Sequence, residues 1–587
     1  MKLSPEAVRR RERIHALVFA AGALAIIGIA WLGPHRERAG PLLLLLMLPF
    51  VGLARGTTTF RAGRALVRRL GARPLAAAAL VGALALAAGI AGALEAGVPL
   101  PSVHDEFSYL LAADTFAHGR LTNPPHPFWI HFEAPHVLQQ PTYMSKYPPV
   151  QGLVMAAGQV ALGHPIAGVW LSAALACGAL TWMLAGWMPG RWALAGGLLS
   201  IVHPLTVIWT QGYWGGLVAV LGGALVLGSL GRLVRRPQAR HAVVLGVGLG
   251  ILANSRPYEG LVLSVPLVFG LVAFLLSRHG PPARIAVTRI LVPVASVLLL
   301  VSCGMLYYNY RVTGDPLTMP YMAYQRAYMP TPIFIFQSAA PAPVYRHEQL
   351  RELFDPQPPA PPERTLTGLA ASVREHAGSY AGEFLGSTLA AALIVLLLPL
   401  ERNRWWLLLI LTLLLVTVAL GLSAVRLPHY AAPAAGLMLL VAMRALRGVG
   451  RWRVGGARVG RSLVQATWVV ALGVLIVGWG HRIAAGRGEA WQDDRARMVA
   501  ALGRTGEKHL VLVRYAPEHN NHAEWIYNAA DIDAEPIVWA ADMDAAENAR
   551  LLAYFKSRRV WLLEPDRENA WLVPYPGTPG PTLAVAP

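Results

Sequence analysis

The sequence predicts a mainly α, polytopic membrane helix bundle carrying a small α/β domain at its C-terminal end. Three observations predict it. The 587 residues are 55% hydrophobic with a mean hydropathy of +0.45, and only 14% are charged, against roughly 25% in soluble domains. Apolar runs recur from the N-terminus to near Gly480. Beyond His481 the composition becomes soluble, and strand-like apolar runs alternate with helical ones.

A crossing helix needs about 20 apolar residues, and by that rule the chain holds about thirteen. They fall near 16–33, 40–54, 75–98, 166–187, 192–209, 214–230, 241–253, 258–276, 289–308, 383–400, 405–422, 429–444 and 463–480. Residues 1–74 are expected to form a cytoplasmic segment with two extra spans. Residues 75–480 form the main membrane domain, with long loops at 101–147 and 309–382. Residues 481–587 form the soluble α/β domain. Arg9-Arg10-Arg11 precede the first run without a small-residue cleavage site, so a signal anchor is expected rather than a removed signal. Pro148 to Gly163 is apolar but short for a crossing, and it reads as a helix in the interface or dipping partway. The loop 309–382 carries many Tyr, Met and Pro, including Met319, Tyr321, Tyr324 and Tyr328, and reads as an extended linker over Gln357 to Pro362. In the tail, His509 to Val513, Pro536 to Trp539 and Arg559 to Leu563 read as strands. Glu518 to Ala530 and Ala545 to Lys556 read as helices. No Gly-rich phosphate loop or internal repeat is present.

The net charge of +19 invites a nucleic-acid partner, but its distribution argues against one. Arg55 to Arg73 and Arg444 to Arg461 are stretches of Arg without an acid, and Arg232, Arg235, Arg236 and Arg240 form another group. These are positive-inside signals of cytoplasmic loops. Parity from a cytoplasmic N-terminus then places the C-terminal domain outside, with the Asp105 loop, Gln211 to Trp214, Arg256 to Glu259, loop 309–382 and Arg426 to Tyr430. The abundance of Ala, Arg, Gly and Leu fits a bacterial cytoplasmic membrane. Two cysteines, Cys177 and Cys303, exclude a disulfide framework or a CxxC metal site.

The chemistry centres on Asp105-Glu106, which opens the first loop just past the run 75–98. Two adjacent acids at the mouth of a span are costly without work or a partner. One acid suffices to cap the helix that begins there. Asp105 and Tyr109 share a helical face, so Asp105 can take a proton from an incoming hydroxyl that Tyr109 and His104 orient. Desolvation is expected to raise its pKa and make it a usable base. Lys146-Tyr147-Pro148-Pro149 closes the loop. Lys146 there either snorkels at the surface or meets a lipid phosphate. Arg256, in Arg256-Pro257-Tyr258-Glu259, and Arg426, in Arg426-Leu427-Pro428-His429-Tyr430, are cations on the same side. Glu259 is a local counter-charge for Arg256, and a phosphate is the functional alternative. Tyr258, Glu259, His429 and Tyr430 complete a candidate pocket. Three cations beside two carboxylates match the needs of a base and a phosphate leaving group. The loop also holds His104, His118, His126, His131 and His136 with Glu133, and the tail holds His519, His522 and Glu524. The loop set has no His-x-x-x-His spacing and the tail set has no second spaced pair, so a divalent metal is not favoured.

With these motifs in this order, the chain resembles the GT-C superfamily of membrane glycosyltransferases, in particular bacterial relatives of protein O-mannosyltransferases and of lipid A aminoarabinose transferases. The resemblance rests on Asp105-Glu106-Phe107-Ser108-Tyr109, Lys146-Tyr147-Pro148-Pro149, Arg256-Pro257-Tyr258-Glu259 and Arg426-Leu427-Pro428-His429-Tyr430, and on the order of spans from about residue 75 to 480. The two N-terminal spans and the tail lie outside it. It implies a GT-C fold and a sugar donor carried on a polyprenyl phosphate, used on the outer face with inversion. It also implies Asp105 as base supported by Glu106, and Lys146, Tyr147, Arg256 and Arg426 at the carrier phosphate. The acceptor, whether protein, lipid or polysaccharide, stays open. One position departs: the aminoarabinose transferases have an acid just before the matching Lys, and here it is Ser145, which weakens both a carried-over metal and an aminoarabinose donor. The competing function is a transporter or envelope scaffold. A transporter should place buried charges near the membrane midplane, whereas the charges here gather at one surface.

Overall fold

The computed structural model describes residues 58–354, 365–375, 377–379, 384, 403–425, 427–453, 459–468, 490–567 and 572–576. The expected spans at 16–33 and 40–54, nearly all of 383–400, most of 463–480, the Gln357 to Pro362 linker and Arg426 lie outside these residues.

Among the described residues, seven helices are long and apolar enough to cross a membrane. They are Pro74–Ala96, Ile166–Trp187, Gly216–Leu233, Pro257–Leu276, Ala283–Thr313, Arg404–Gly421 and His429–Val449. Each matches an expected span, and the chain is a multi-pass membrane protein. Two expectations change. The run near 192–209 is a bent pair, Gly190–Ile201 and Pro204–Thr210, turned by 52°. Pro204 starts the second piece, and the His203 side chain accepts from Leu205 N at its cap, a stop-and-restart that proline enforces. The run near 241–253 is Ala239–Ala253, 15 residues, or about 23 Å at 1.5 Å per residue. It falls short of the roughly 30 Å apolar core. Val150–Leu162 is 13 residues and also too short, as its sequence predicts. It packs between the helices His104–Ala117 and Ile166–Trp187.

The bundle core runs through Ile166–Trp187, Gly216–Leu233 and His429–Val449, with Met183, Leu227, Leu437 and Met443 buried together. Small residues let these backbones touch. A Cβ on Gly223 would stand 1.9 Å from Pro433 O. That close approach seats the turn Pro428–Ala434, which carries His429 and Tyr430, against the bundle.

The first loop is ordered. Its helix His104–Ala117 leads to a two-stranded antiparallel pair, β1 (Val137–Leu138) and β2 (Met144–Ser145). The C-terminal unit has a four-stranded sheet formed by β3 (His509–Val513), β4 (Ile537–Ala541), β5 (Arg559–Leu563) and β6 (Leu572–Pro574), in the order β4-β3-β5-β6. The first three pair in parallel and β6 is antiparallel. The α/β reading holds with one correction: Glu518 to Ala530 is irregular, not helical. Its turn-formers compete with a helix. The Glu524 carboxylate bonds Ile526 N, and the Asn520 side chain bonds His522 N. The sheet and the first loop share one core, in which Leu111, Phe132, Val137 and Tyr143 pack with Leu510, Val538 and Leu562. Of loop 309–382, Pro320–Tyr328 and Glu348–Phe354 are helices that pack against β1, β2 and the start of the loop through Tyr324 and Phe354.

Candidate active site

Asp105 and Glu106 stand side by side in the first turn of the helix His104–Ala117, whose N-cap Val103 offers no side chain to the orphan amides. Glu106 braces the chain that leads into the helix. Fully buried, it accepts from Ser102 N at 2.6 Å and Ser102 Oγ at 2.8 Å, and its other oxygen accepts from Tyr213 N at 2.6 Å. It thereby pins the chain before the helix and the loop Gln211 to Trp214. Gly212 leaves room for it, since a Cβ there would lie 2.6 Å from Glu106 Oε1. Burial raises the Glu106 pKa against those hydrogen bonds.

Asp105 faces other side chains. Its Oδ2 lies 3.0 Å from His104 Nδ1 and 3.6 Å from His136 Nε2, and Tyr147 donates its phenol to Oδ1. Burial would lift its pKa, but the His136 imidazole and the bonds from His104 and Tyr147 outweigh burial and hold it well below the usual carboxylate range. This corrects the expectation of a raised pKa: partners win over desolvation, and Asp105 is ionised at neutral pH. The phenol on Asp105 is that of Tyr147 rather than Tyr109. Tyr109 is buried behind it, stacked on the Tyr147 ring at 4.4 Å, with its pKa pushed up to about 12 by burial.

His136, absent from the expected site, is central to it. It adopts φ 66°, rare for a non-glycine. Three bonds hold its backbone: Tyr324 OH accepts from its N–H at 2.7 Å, and its carbonyl accepts from Ser108 Oγ at 2.7 Å and Lys146 N at 3.1 Å. Burial and then Lys146 lower the pKa of its imidazole, against the opposing charge of Asp105. A positive φ leaves no pattern in one sequence beyond Pro135 before it. Ser145, the departing position, is buried on Ser108 at 2.7 Å and is a packing residue.

Lys146 does not snorkel. Only 3% exposed, its ammonium faces the rings of Tyr324, Tyr321 and Tyr147 at 4.8, 5.1 and 5.2 Å and otherwise meets Met329 Sδ at 3.9 Å. Among the described residues no carboxylate pairs with it. Burial lowers its pKa to about 7, with Asp105 opposing the shift and Arg256 adding to it. Tyr321 and Tyr324 come from the long loop, where their spacing carried no signal. Arg256 lies over the Tyr430 ring at 4.7 Å and makes no ion pair with Glu259, which is buried in the next helical turn. Val150 N donates to Asn254 O at 3.2 Å, tying the Lys146 segment to that of Arg256. His429 packs on Trp214 at 5.5 Å and on Tyr430 at 5.0 Å. Tyr258 is a packing residue: its phenol donates to Ala419 O at 2.7 Å and its ring meets Phe334.

Among the described residues, ligand atoms of His104, Asp105 and His136 lie within 4.8 Å of one another. Two imidazoles and a carboxylate form a donor set that suits a zinc-like cation. The other acids and histidines disperse. His131 bonds Ala541 O, Glu133 accepts from Tyr328, His126 meets Asp533, and His519 meets Asp566. His522, in contrast, reaches the site: its Nδ1 lies 3.1 Å from His104 Nε2.

The sequence matches no protein-family model and none of the curated proteins. Among solved structures the chain is similar to ArnT from Cupriavidus metallidurans bound to undecaprenyl phosphate, at 14% identity and TM-score 0.46, over 83% of this chain and 92% of that one. It is similar to the Archaeoglobus fulgidus oligosaccharyltransferase in complex with zinc and sulfate, at 11% identity and TM-score 0.46, over 82% and 67%. It is also similar to AglB from Archaeoglobus fulgidus in complex with an inhibitory peptide and a dolichol-phosphate, at 12% identity and TM-score 0.36, over 82% and 69%.

Proposed function

We propose that the chain is a glycosyltransferase that moves a sugar from a polyprenyl-phosphate carrier to an acceptor hydroxyl on the extracytoplasmic side of a bacterial cytoplasmic membrane. One observation carries this reading: the buried ammonium of Lys146, held by tyrosine faces and lacking a carboxylate among the described residues. A buried cation without an acceptor is expensive, and the phosphate of a carrier lipid would supply one. Arg256, over Tyr430, is the second cation for that anion, and Arg426 a third.

In this reading Asp105 takes the acceptor proton as the hydroxyl oxygen attacks the anomeric carbon. The carrier phosphate leaves with the bonding electrons, its charge met by Lys146 and Arg256. A single displacement inverts the carbon. Tyr147 holds Asp105, His104 flanks it, Tyr109 backs Tyr147, and Glu106 keeps the helix start in place. Glu259, His429 and Tyr430 wall the cationic side. The low pKa of Asp105 favours transfer of the acceptor's proton to it late in the step, when the acceptor oxygen has already become acidic.

The test is direct. Undecaprenyl phosphate, added to the full-length protein in nanodiscs, should bind at least tenfold more tightly than to Lys146→Met. Equal affinity would remove the phosphate role.

The histidine–carboxylate group supports a second reading. His104, Asp105 and His136 would hold a divalent cation, which would supply Lewis acidity at the acceptor oxygen. Transfer that persists after exhaustive chelation would set this aside.

A further inference from the structure

Glu259 is a carboxylate of the site that the proposed reaction leaves without a task. It stands three residues after Arg256, in the first turn of the span Pro257–Leu276, so the two side chains share one helical face. It is only 9% exposed. Neighbouring Tyr258 points elsewhere, its phenol donated to Ala419 O. An acid within a span is costly unless it is paired or used. Among the described residues, the Glu259 carboxylate forms no hydrogen bond or ion pair with another residue. Its own backbone N–H, an orphan amide of the helix start, faces it.

The nearest cation does not fill that gap. The Arg256 guanidinium lies over the Tyr430 ring at 4.7 Å. It offsets the Glu259 charge through space and supplies no hydrogen bond. Tyr321 ties Glu259 to the rest of the site. Burial raises the pKa of its phenol, Arg256 opposes the rise, and the charges of Glu259 and then Asp105 add to it. The same Tyr321 ring faces the Lys146 ammonium at 5.1 Å. Glu259 therefore belongs with Asp105, Lys146 and Arg256, on the Arg256 side.

A carboxylate only accepts hydrogen bonds and has about four lone-pair sites. With Arg256 meeting its charge, Glu259 lacks donors rather than a second cation, and buried polar groups need such partners. Sugar hydroxyls are donors, and a sugar held between the carrier phosphate and Asp105 brings several. A uronic acid would instead set a second carboxylate against Glu259.

We propose that Glu259 recognises the donor sugar: its carboxylate accepts hydrogen bonds from the hydroxyls of a neutral hexose or pentose on the carrier phosphate, and it excludes acidic sugars. This rests on the reading of Lys146 and Arg256 as the carrier-phosphate site.

The test is a binding series with the full-length protein in nanodiscs. The probes are undecaprenyl-phosphate-linked mannose, glucose, galactose, arabinose, glucosamine and glucuronic acid. Undecaprenyl methyl phosphate, a diester of the same charge without a sugar, is the reference, so the ratio to it removes any effect of Glu259 on the phosphate itself. In the native chain, at least one of the four neutral sugars should bind tenfold or more tighter than the reference, and the glucuronyl lipid more weakly than it. Glu259→Gln should reduce the neutral-sugar gain about tenfold, the size of a charge-assisted hydrogen bond, and bring the glucuronyl lipid up to the reference. Glu259→Asp, shorter by one methylene, should lose the neutral-sugar gain and still reject the glucuronyl lipid, a pattern that loss of packing does not produce. The inference is overturned by a native chain with no gain for any neutral sugar, by unchanged ratios in Glu259→Gln, or by tightest binding of the glucosaminyl lipid. Lys146→Met separates the two readings. If it binds the reference as tightly as the native chain does, the carrier-phosphate reading fails. If it binds the reference more weakly while the ratios ignore Glu259, only the sugar contact fails.

Discussion

Arg558 and Lys146 are both buried cations, in two regions that treat them in opposite ways. In the C-terminal unit, Arg558 is closed in by carbonyls: Glu535 O at 2.7 Å and Asp533 O at 2.8 Å accept from it. The surrounding cap follows suit. Tyr143 donates to Asn528 O, Asp114 accepts from Ala530 N, and His131 meets Ala541 O. Around Asp105, Lys146 meets ring faces and a thioether instead. Folding normally completes the hydrogen bonds of buried charges, as it does for Arg558. Where it stops short, at Lys146, the missing partner points to a ligand. Asp105 and Glu106 differ within one helical turn in the kind of partner they have: Glu106 accepts from the backbone of Ser102 and Tyr213, and Asp105 faces the side chains of Tyr147, His104 and His136.

The largest test of that contrast is Asp105→Asn. It should reduce transfer by about three orders of magnitude, the range of a lost general base, with unchanged thermal unfolding. Activity near that of the native chain would break the comparison. Arg256→Ala should weaken donor use by about ten- to a hundredfold in KM, as loss of a charge-assisted bond of roughly 1.5–3 kcal/mol implies. Donor titrations check it. Glu106→Ala should do the reverse of Asp105→Asn. It leaves buried backbone donors at Ser102 and Tyr213 unmet, at about 1–3 kcal/mol each, so thermal unfolding should occur earlier. A stable but inactive Glu106→Ala would move Glu106 to the chemistry. The smallest effect is in pH. With its pKa lowered to about 7 by burial, the free-protein Lys146 is charged below that pH and neutral above it, so kcat/KM for the donor should decline as pH rises past about 7. Lys146→Arg, charged throughout, should flatten that limb.

Among the described residues hydropathy alone placed seven spans, because a run of about 20 apolar residues has few other uses. It did not show the bend at Pro204, which breaks one apolar run into a pair, and it counted Ala239–Ala253, which is too short to cross. The strands of the C-terminal unit were legible from buried β-branched runs. Glu518 to Ala530 was not, because its conformation depends on side-chain bonds such as Glu524 to Ile526 N. Asp105 and Lys146 were legible from chemistry at a membrane boundary. The depth of Lys146 was not, since the tyrosines that bury it lie some 175 residues on, a separation at which no periodicity operates. His136 and His522 were legible only as members of two histidine sets weighed for a metal, and their place beside His104 was not: one depends on a backbone twist, the other on a contact across 418 positions.

The shared core of the first loop and the C-terminal sheet also sets a timetable. His131 meets Ala541 across 410 residues. At about 5–20 residues per second of synthesis, the loop waits roughly 20–80 s for its partner. During that interval Leu111, Phe132 and Val137 lack the sheet that covers them. A ribosome that stalls before the codons of β4 and β5 therefore leaves that face of the first loop without the Val538 and Leu562 that cover it.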